Sequence, residues 1–223
     1  MVNGMKIENI PLFIAFFVLI LFVVFGQKFL AEYFFARMSE ALSNDDFVSF
    51  DKYANNFFSR FLFSPFELNY MKLNAAFLRD DKKHTDAVIR DFELIDMREN
   101  QKEDVYMRIF NYYMAEKNYP KAKFYMEKID KEIKNPSIKE ECKMIYDIYA
   151  CKSSDHLNKL LEDLKDQPVE QRGYTEMLIS DSYKNMGDRK NAKKYKDLSL
   201  NHFKMLEEKI RKQGTKDGQK EKK

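Results

Sequence analysis

Tyr183-Lys-Asn-Met-Gly187-Asp-Arg-Lys-Asn-Ala192-Lys-Lys-Tyr195 decides the fold. The apolar spacing of a helix ends at Tyr183, the turn Gly187-Asp188-Arg189 follows, and helical spacing resumes with Ala192 and Tyr195. Stepping back from Ala192 in intervals of 35 residues reaches Leu157, Ala122 and Ala87. The same step links Tyr183 to Ile148, Tyr113 and Leu78, and Ser199 to Leu164, Ile129 and Leu94. The turn column reads Lys82, Lys117, Lys152, Gly187. A fixed period of this length is the mark of a repeat array in which each unit is one supersecondary element.

Polar turns at 43–46, 81–84, 117–120, 152–155 and 187–189 alternate with longer breaks near Ser64-Pro65, Asn100, Asn135-Pro136 and Gln167-Pro168. Pro65, Pro120, Pro136 and Pro168 stand where proline opens a helix. With 6 Gly and 5 Pro in 223 residues, and 44% hydrophobic and 34% charged residues, the composition is helix-forming. The chain reads as all-α, with about five helical hairpins following an N-terminal segment. Each hairpin buries its apolar stripe only against its neighbours. The pair at 29–64 has the hairpin look without the register, since Lys52 falls in the small-residue column, and reads as a cap. Repeats then occupy 65–211, and a basic, apolar-free tail at 212–223 is expected to be disordered.

These residues resemble the tetratricopeptide repeat family. The stretch at 183–195 carries the likeness, and Tyr112-Tyr113-Met-Ala-Glu-Lys-Asn-Tyr-Pro-Lys-Ala122-Lys-Phe-Tyr125 repeats it. The small residue of the first helix is kept as Ala75 and Ser180 and becomes Phe110 and Ile145 in the other repeats. The resemblance implies an α-solenoid whose first helices line a concave, peptide-binding groove. Its groove positions fall on Asn69, Lys72, Arg79, Asp104, Met107, Asn111, Lys139, Tyr146, Tyr149, Tyr174, Met177, Asp181 and Lys184. Among them Lys72, Arg79, Lys139 and Lys184 are suited to acidic groups, and Tyr146 and Tyr149 to aromatic anchoring. The family's carboxylate clamp uses paired asparagines; Asn111 has Ala76 one step earlier.

Ile10 to Phe25 contains no charged or polar residue, and Lys6 and Lys28 bracket it. With both lysines reaching to the interfaces, residues 1–28 read as a single-pass transmembrane anchor that meets lipid through 10–26. A cleaved signal peptide is the competing reading, although Gly26-Gln-Lys-Phe-Leu-Ala31 offers no convincing cleavage site. Cys142 and Cys151, nine residues apart on one helix, lie about 13 Å from each other, too far for a disulfide. Free thiols lean toward a cytosolic domain, and a short tail before the span leans toward an exported one. The balance favours the cytosolic side.

The net charge of +3 arises in the tail, whose last twenty residues hold eight Lys/Arg against four Asp/Glu. The body is near neutrality, so no nucleic-acid partner is indicated. His84, His156 and His202 stand alone, no phosphate-binding glycine loop is present, and adjacent acidic pairs diverge by about 100° on a helix. Neither an enzyme, a cofactor nor a metal site is expected. Phe29, Phe34, Phe35, Phe57, Phe58, Phe61, Phe63 and Phe66 are expected mostly in the core of the first two pairs, some of them at a bilayer. The functional expectation is a membrane-tethered scaffold that binds a membrane-associated protein through its groove. The alternatives are a structural subunit of a larger membrane assembly, or a secreted repeat protein.

Overall fold

A computed structural model describes residues 10–220, with side chains described for residues 25–212. Eleven helices and no strand occur among the described residues. The chain divides into two compact units, Met1–Met97 and Arg98–Lys223.

The first unit holds α1 (Ile10–Ser43), α2 (Phe47–Ala54), α3 (Phe57–Leu62), α4 (Pro65–Arg79) and α5 (Lys82–Phe92). Helices α1 and α2 form one hairpin, α4 and α5 another, α2 packs on α4, and the short α3 touches both α1 and α4. Its core contains Phe34, Met38, Ala41, Phe50, Ala54, Leu68 and Ala75. Helix α1 is unbroken from Ile10, so the expected boundary at residue 28 falls inside a helix. Among the described residues no helix is long and apolar enough to cross a membrane. The side chains of residues 10–24, on which the anchor expectation rests, lie outside the described residues.

The second unit holds three hairpins: α6 (Glu99–Ala115) with α7 (Tyr119–Glu132), α8 (Pro136–Tyr149) with α9 (Leu157–Asp166), and α10 (Val169–Asn185) with α11 (Arg189–Lys220). The first helices stand side by side, α6 on α8 and α8 on α10, while α7 packs on α8 and α9 on α10. Pro65, Pro120 and Pro136 occupy the first turns of α4, α7 and α8, and Pro168 caps α10. Helix α11 runs on to Lys220, through the stretch expected to be a disordered tail. Extending an existing helix needs no new nucleus, and the lysines and glutamines of 212–220 favour it against Gly214 and Gly218.

The hairpins share a turn device, which the longer α8–α9 connection, 150–156, keeps only in part. One residue at positive φ ends the first helix: Asp45 (54°), Asp80 (51°), Lys117 (55°), Lys152 (56°) and Gly187 (81°). In four of the five hairpins the next residue, Asp46, Asp81, Asn118 or Asp188, caps the second helix by accepting an N–H three residues on. Asp46, Asn118 and Asp188 also donate their own N–H to the carbonyl five residues back, at 2.8, 2.9 and 2.9 Å. One residue thus closes one helix and opens the next.

These turns correct the register of the sequence reading. Lys117, Lys152 and Gly187 are 35 residues apart, and so are Asp45 and Asp80, but Asp80 to Lys117 is 37. Lys82, assigned by the period to the turn, is instead the first residue of α5. Five residues past each turn lie Phe50, Thr85, Ala122, Leu157 and Ala192, the first four buried. The small slot of the second hairpin is therefore Thr85 rather than Ala87, and that of the first is Phe50 rather than Lys52. Thr85 fits because its hydroxyl donates to the Ala76 carbonyl at 3.3 Å, which removes the cost of burying it. Seven residues before each turn stand Met38, Leu73, Phe110, Ile145 and Ser180, all buried.

The aromatic cluster also departs from expectation. Of its eight phenylalanines only Phe34 is buried, Phe63 and Phe66 are half-buried, and the other five are exposed. Met38, Phe50, Leu68 and Leu73 already fill the space between the helices.

Candidate docking groove at the last hairpin

The turn register shows which side chains one hairpin offers to the next. On α8 the row is Cys142, Ile145 and Tyr149, two of them buried, in a helix packed against α10. The corresponding row on α10 is Met177, Ser180 and Lys184, and among the described residues no further hairpin follows. A cleft of about 560 Å³ opens there. Helix α10 contributes Met177, Ser180, Asp181 and Lys184, and α11 contributes Ala192, Lys193, Lys196, Ser199, Leu200 and Phe203. The spacings are i, i+3, i+4, i+7 on α10 and i, i+4, i+7, i+8, i+11 on α11 apart from Lys193, so each helix presents one face.

The floor is apolar despite its two serines. Ser180 donates its hydroxyl to the Ala192 carbonyl at 2.8 Å, and Ser199 donates to the Gly173 carbonyl at 2.6 Å, so neither proton points into the cleft. Gly173 lets α11 come close: a Cβ there would sit 3.2 Å from the Phe203 ring, a tight contact. Below the floor His202 Nδ1 lies 2.7 Å from the buried Glu176 carboxylate. The rim carries Lys184, Lys193 and Lys196 against one carboxylate, Asp181. Asp181 is in turn engaged by Tyr149, whose phenol is pushed above its ordinary range by burial, with the Asp181 charge adding to the shift.

The sequence-derived groove residues separate into several environments. Asn69, Lys72 and Arg79 belong to the first unit. Arg79 Nη2 donates to Asp51 at 3.0 Å, its guanidinium lies 4.9 Å from the Phe47 ring centroid, and its Nε is buried without a hydrogen-bond partner. It ties α2 to α4. Lys72 is half-buried, and desolvation lowers its pKa against the attraction of Asp91 and Asp51. Counted from the turns, Lys72 occupies the row of the buried Ile109 and Ile179, while Asn74 stands where Asn111 does.

In the second unit Asp181 and Lys184 line the groove, and Tyr149 meets it through Asp181. Tyr174 is pushed up to about 12 by burial and by Glu141 and Cys142. Lys139 is held by the Asp130 carbonyl, with the Asp130 carboxylate at 3.8 Å. Tyr146 is half-buried and Asn111 exposed. Lys193, Lys196, Leu200 and Phe203 were not among the residues the sequence singled out, because the resemblance directs attention to first helices. The signal available was apolar spacing that continues on α11, with no later hairpin among the described residues to cover it.

A second cleft, about 800 Å³, lies among α8, α9 and α10. Its walls are internally paired, with Lys159 on Glu140 at 2.6 Å, and His156, which also lines it, sits 2.9 Å from Asp147. Gln167 Oε1 is buried there without a partner. Cys142 and Cys151 are both free thiols, and burial pushes the Cys142 thiol up to about 12, which keeps it protonated and unreactive at neutral pH. Among the described residues no group of three His, Cys, Asp or Glu could hold a metal ion.

Compared with family models, curated proteins and solved structures, the chain finds no match.

Proposed function

We propose that this protein is a membrane-tethered helical-repeat adaptor, of the tetratricopeptide kind, that binds a partner protein and catalyses no reaction. The observation that carries the reading is the open row on the last hairpin. Met177, Leu200 and Phe203 present apolar surface at the position that a following hairpin covers in α8, and three lysines border it. The complementary occupant is a helix with an apolar stripe and acidic flanks, laid in the groove as a further first helix would be. The uncharged run Ile10–Phe25 supplies the tether, which holds the groove at high local concentration near membrane-associated partners. A left-handed residue in all five turns, followed by a capping Asp or Asn in four of them, and the side-by-side packing of α6, α8 and α10 support the repeat assignment.

Site-specific photo-crosslinking in the full-length protein within membranes tests this. A crosslinker at Leu200 should give a discrete protein adduct that is lost in Lys193→Glu/Lys196→Glu. The same group at exposed Leu94 of the first unit should not give that adduct. Identical adduct patterns at both positions, or an adduct indifferent to the charge reversals, would move binding away from this groove.

A further inference from the structure

Among the described residues the first unit exposes ten large apolar side chains, and six of them gather at one end. On α1, Phe25 ends the uncharged run and Phe29 stands one turn beyond it. Helix α2 runs back along α1, so α3 is returned to the end from which that run departs. The Phe58 ring lies 6.5 Å from Phe34, and Tyr53 packs edge-on against the same ring at 5.8 Å. Helix α4 leaves this end and α5 comes back to it, which sets Phe92 edge-on to Phe66 at 6.1 Å. Two residues beyond Phe92, Leu94 is 87% exposed. The opposite end carries the turns Asp45-Asp46 and Asp80-Asp81.

Helix α3 is assembled inside out for a protein surrounded by water. Its serine, Ser59, is buried and donates its hydroxyl to the Tyr53 carbonyl at 2.5 Å. Its phenylalanines at i and i+4 face away from the body, Phe57 at 76% and Phe61 at 67% exposure. Asn56 fixes the start of the helix by accepting the Phe58 N–H at 2.9 Å. Two rings held outward by a buried hydroxyl and a capped helix end are not the residue of a loosely packed core.

We infer that this end of the first unit rests on the bilayer surface, with Phe57 and Phe61 inserted at the boundary between headgroups and acyl chains. The inference rests on the proposed N-terminal anchor, because the continuity of α1 with the uncharged run selects lipid as the occupant. If the apolar segment ends near Gln27, Phe34 lies about 10 Å farther along the axis at ~1.5 Å per residue. The headgroup layer is roughly 5–7 Å deep on each side. Helix α3 lies beside α1 rather than on its axis, so a tilt of about 20° toward α3 lowers it into that layer. The charges at this end are mixed, Lys28 and Arg60 against Glu32 and Glu93. Insertion is therefore apolar and has no requirement for anionic lipid.

The chain has no tryptophan, so Phe61→Trp places a single fluorophore in the full-length protein, and Val48→Trp, at an 83% exposed site by the Asp45 turn, is its control. Each variant is reconstituted into phosphatidylcholine vesicles with and without lipids brominated near the headgroup. The expected result is blue-shifted Phe61→Trp emission, quenched at least about twofold more than Val48→Trp, and unchanged when phosphatidylserine or salt is added. Equal quenching at both sites overturns the inference, and so does a blue shift without quenching, which would mean that protein covers the surface. Flotation of the same vesicles separates the two claims. Protein that floats but shows no selective quenching retains its anchor and loses the interfacial helix, whereas protein that does not float loses both.

Discussion

Substitution by glycine at two neighbouring positions, Asp80 and Lys82, distinguishes the turn register of the structure from that of the sequence period. Asp80 sits at φ 51°, where an L-residue is penalised by roughly 1–2 kcal/mol and aspartate by less. Glycine occupies this region freely but adds about 0.5–1 kcal/mol of backbone entropy to be lost on folding. Asp80→Gly should therefore gain roughly 0.5 kcal/mol. Lys117 and Lys152, at 55° and 56°, lack the local hydrogen bonding that eases aspartate into this region, and each should gain about 1 kcal/mol. They are 35 residues apart in separate turns, so the two gains should add. Lys82 is already helical as the first residue of α5, and Lys82→Gly should lose up to ~1 kcal/mol of helix propensity. Thermal unfolding followed by far-ultraviolet circular dichroism reads these signs. At roughly 2–4 °C per kcal/mol for a chain of this size, Lys117→Gly/Lys152→Gly should rise by about 4–8 °C. A gain at Lys82 together with a loss at Asp80 would refute the reasoning and restore the sequence register.

Arg79→Glu should lower the stability of the first unit by at least ~1 kcal/mol, because it sets a carboxylate beside Asp51 and removes the contact with Phe47; unfolding of Arg79→Met, costing less, provides the comparison. Stability should also fall with alkaline pH. The Cys142 thiol and the Tyr174 phenol each titrate at about 12 in the fold, against ordinary values of 9.0 and 10.0, so the unfolded chain releases these protons first. Their contribution is complete below about pH 9 and declines as pH rises from there toward 12, at up to ~1.4 kcal/mol per pH unit for the buried thiol. Denaturant titrations of Cys142→Ala should show a shallower decline over that range, and an unchanged slope would place the thiol in contact with water.

What could be read from the sequence was whatever is fixed locally. The prolines opened helices, and the polar turns fell where Asp46 and Asn118 cap the helices that follow, because the N-cap bond spans only three residues. The period survived wherever the chain keeps its length. It failed in the first two hairpins because the surplus of two residues between Asp80 and Lys117 leaves no mark in composition. A threonine whose proton goes to Ala76 can fill a slot where an alanine is sought, which makes Ala87 an attractive decoy. The exposed phenylalanines were misplaced for a related reason. Hydrophobicity says that a ring needs cover, and only the packing of Met38, Phe50 and Leu73 shows that the core has no room for it. For the candidate groove, first-helix residues such as Asp181 and Lys184 were accessible by register, and Leu200 and Phe203 required knowing which face of α11 is left uncovered among the described residues.

The two-residue turns bear on how such an array changes over time. In the four turns where one residue ends a helix and the next caps another there is no slack, and an inserted residue would rotate everything beyond it by about 100°. The stretches that join one hairpin to the next, such as 93–98, carry no such constraint. Length should drift there and in the longer α8–α9 connection, 150–156, and two surplus residues already stand between the second and third turns. Descendants of this chain would keep the interval across those four hairpins while losing the interval between hairpins. Kinship among them would be written in the pairing of a left-handed residue with a capping Asp or Asn, and a column of alanines would preserve little of it.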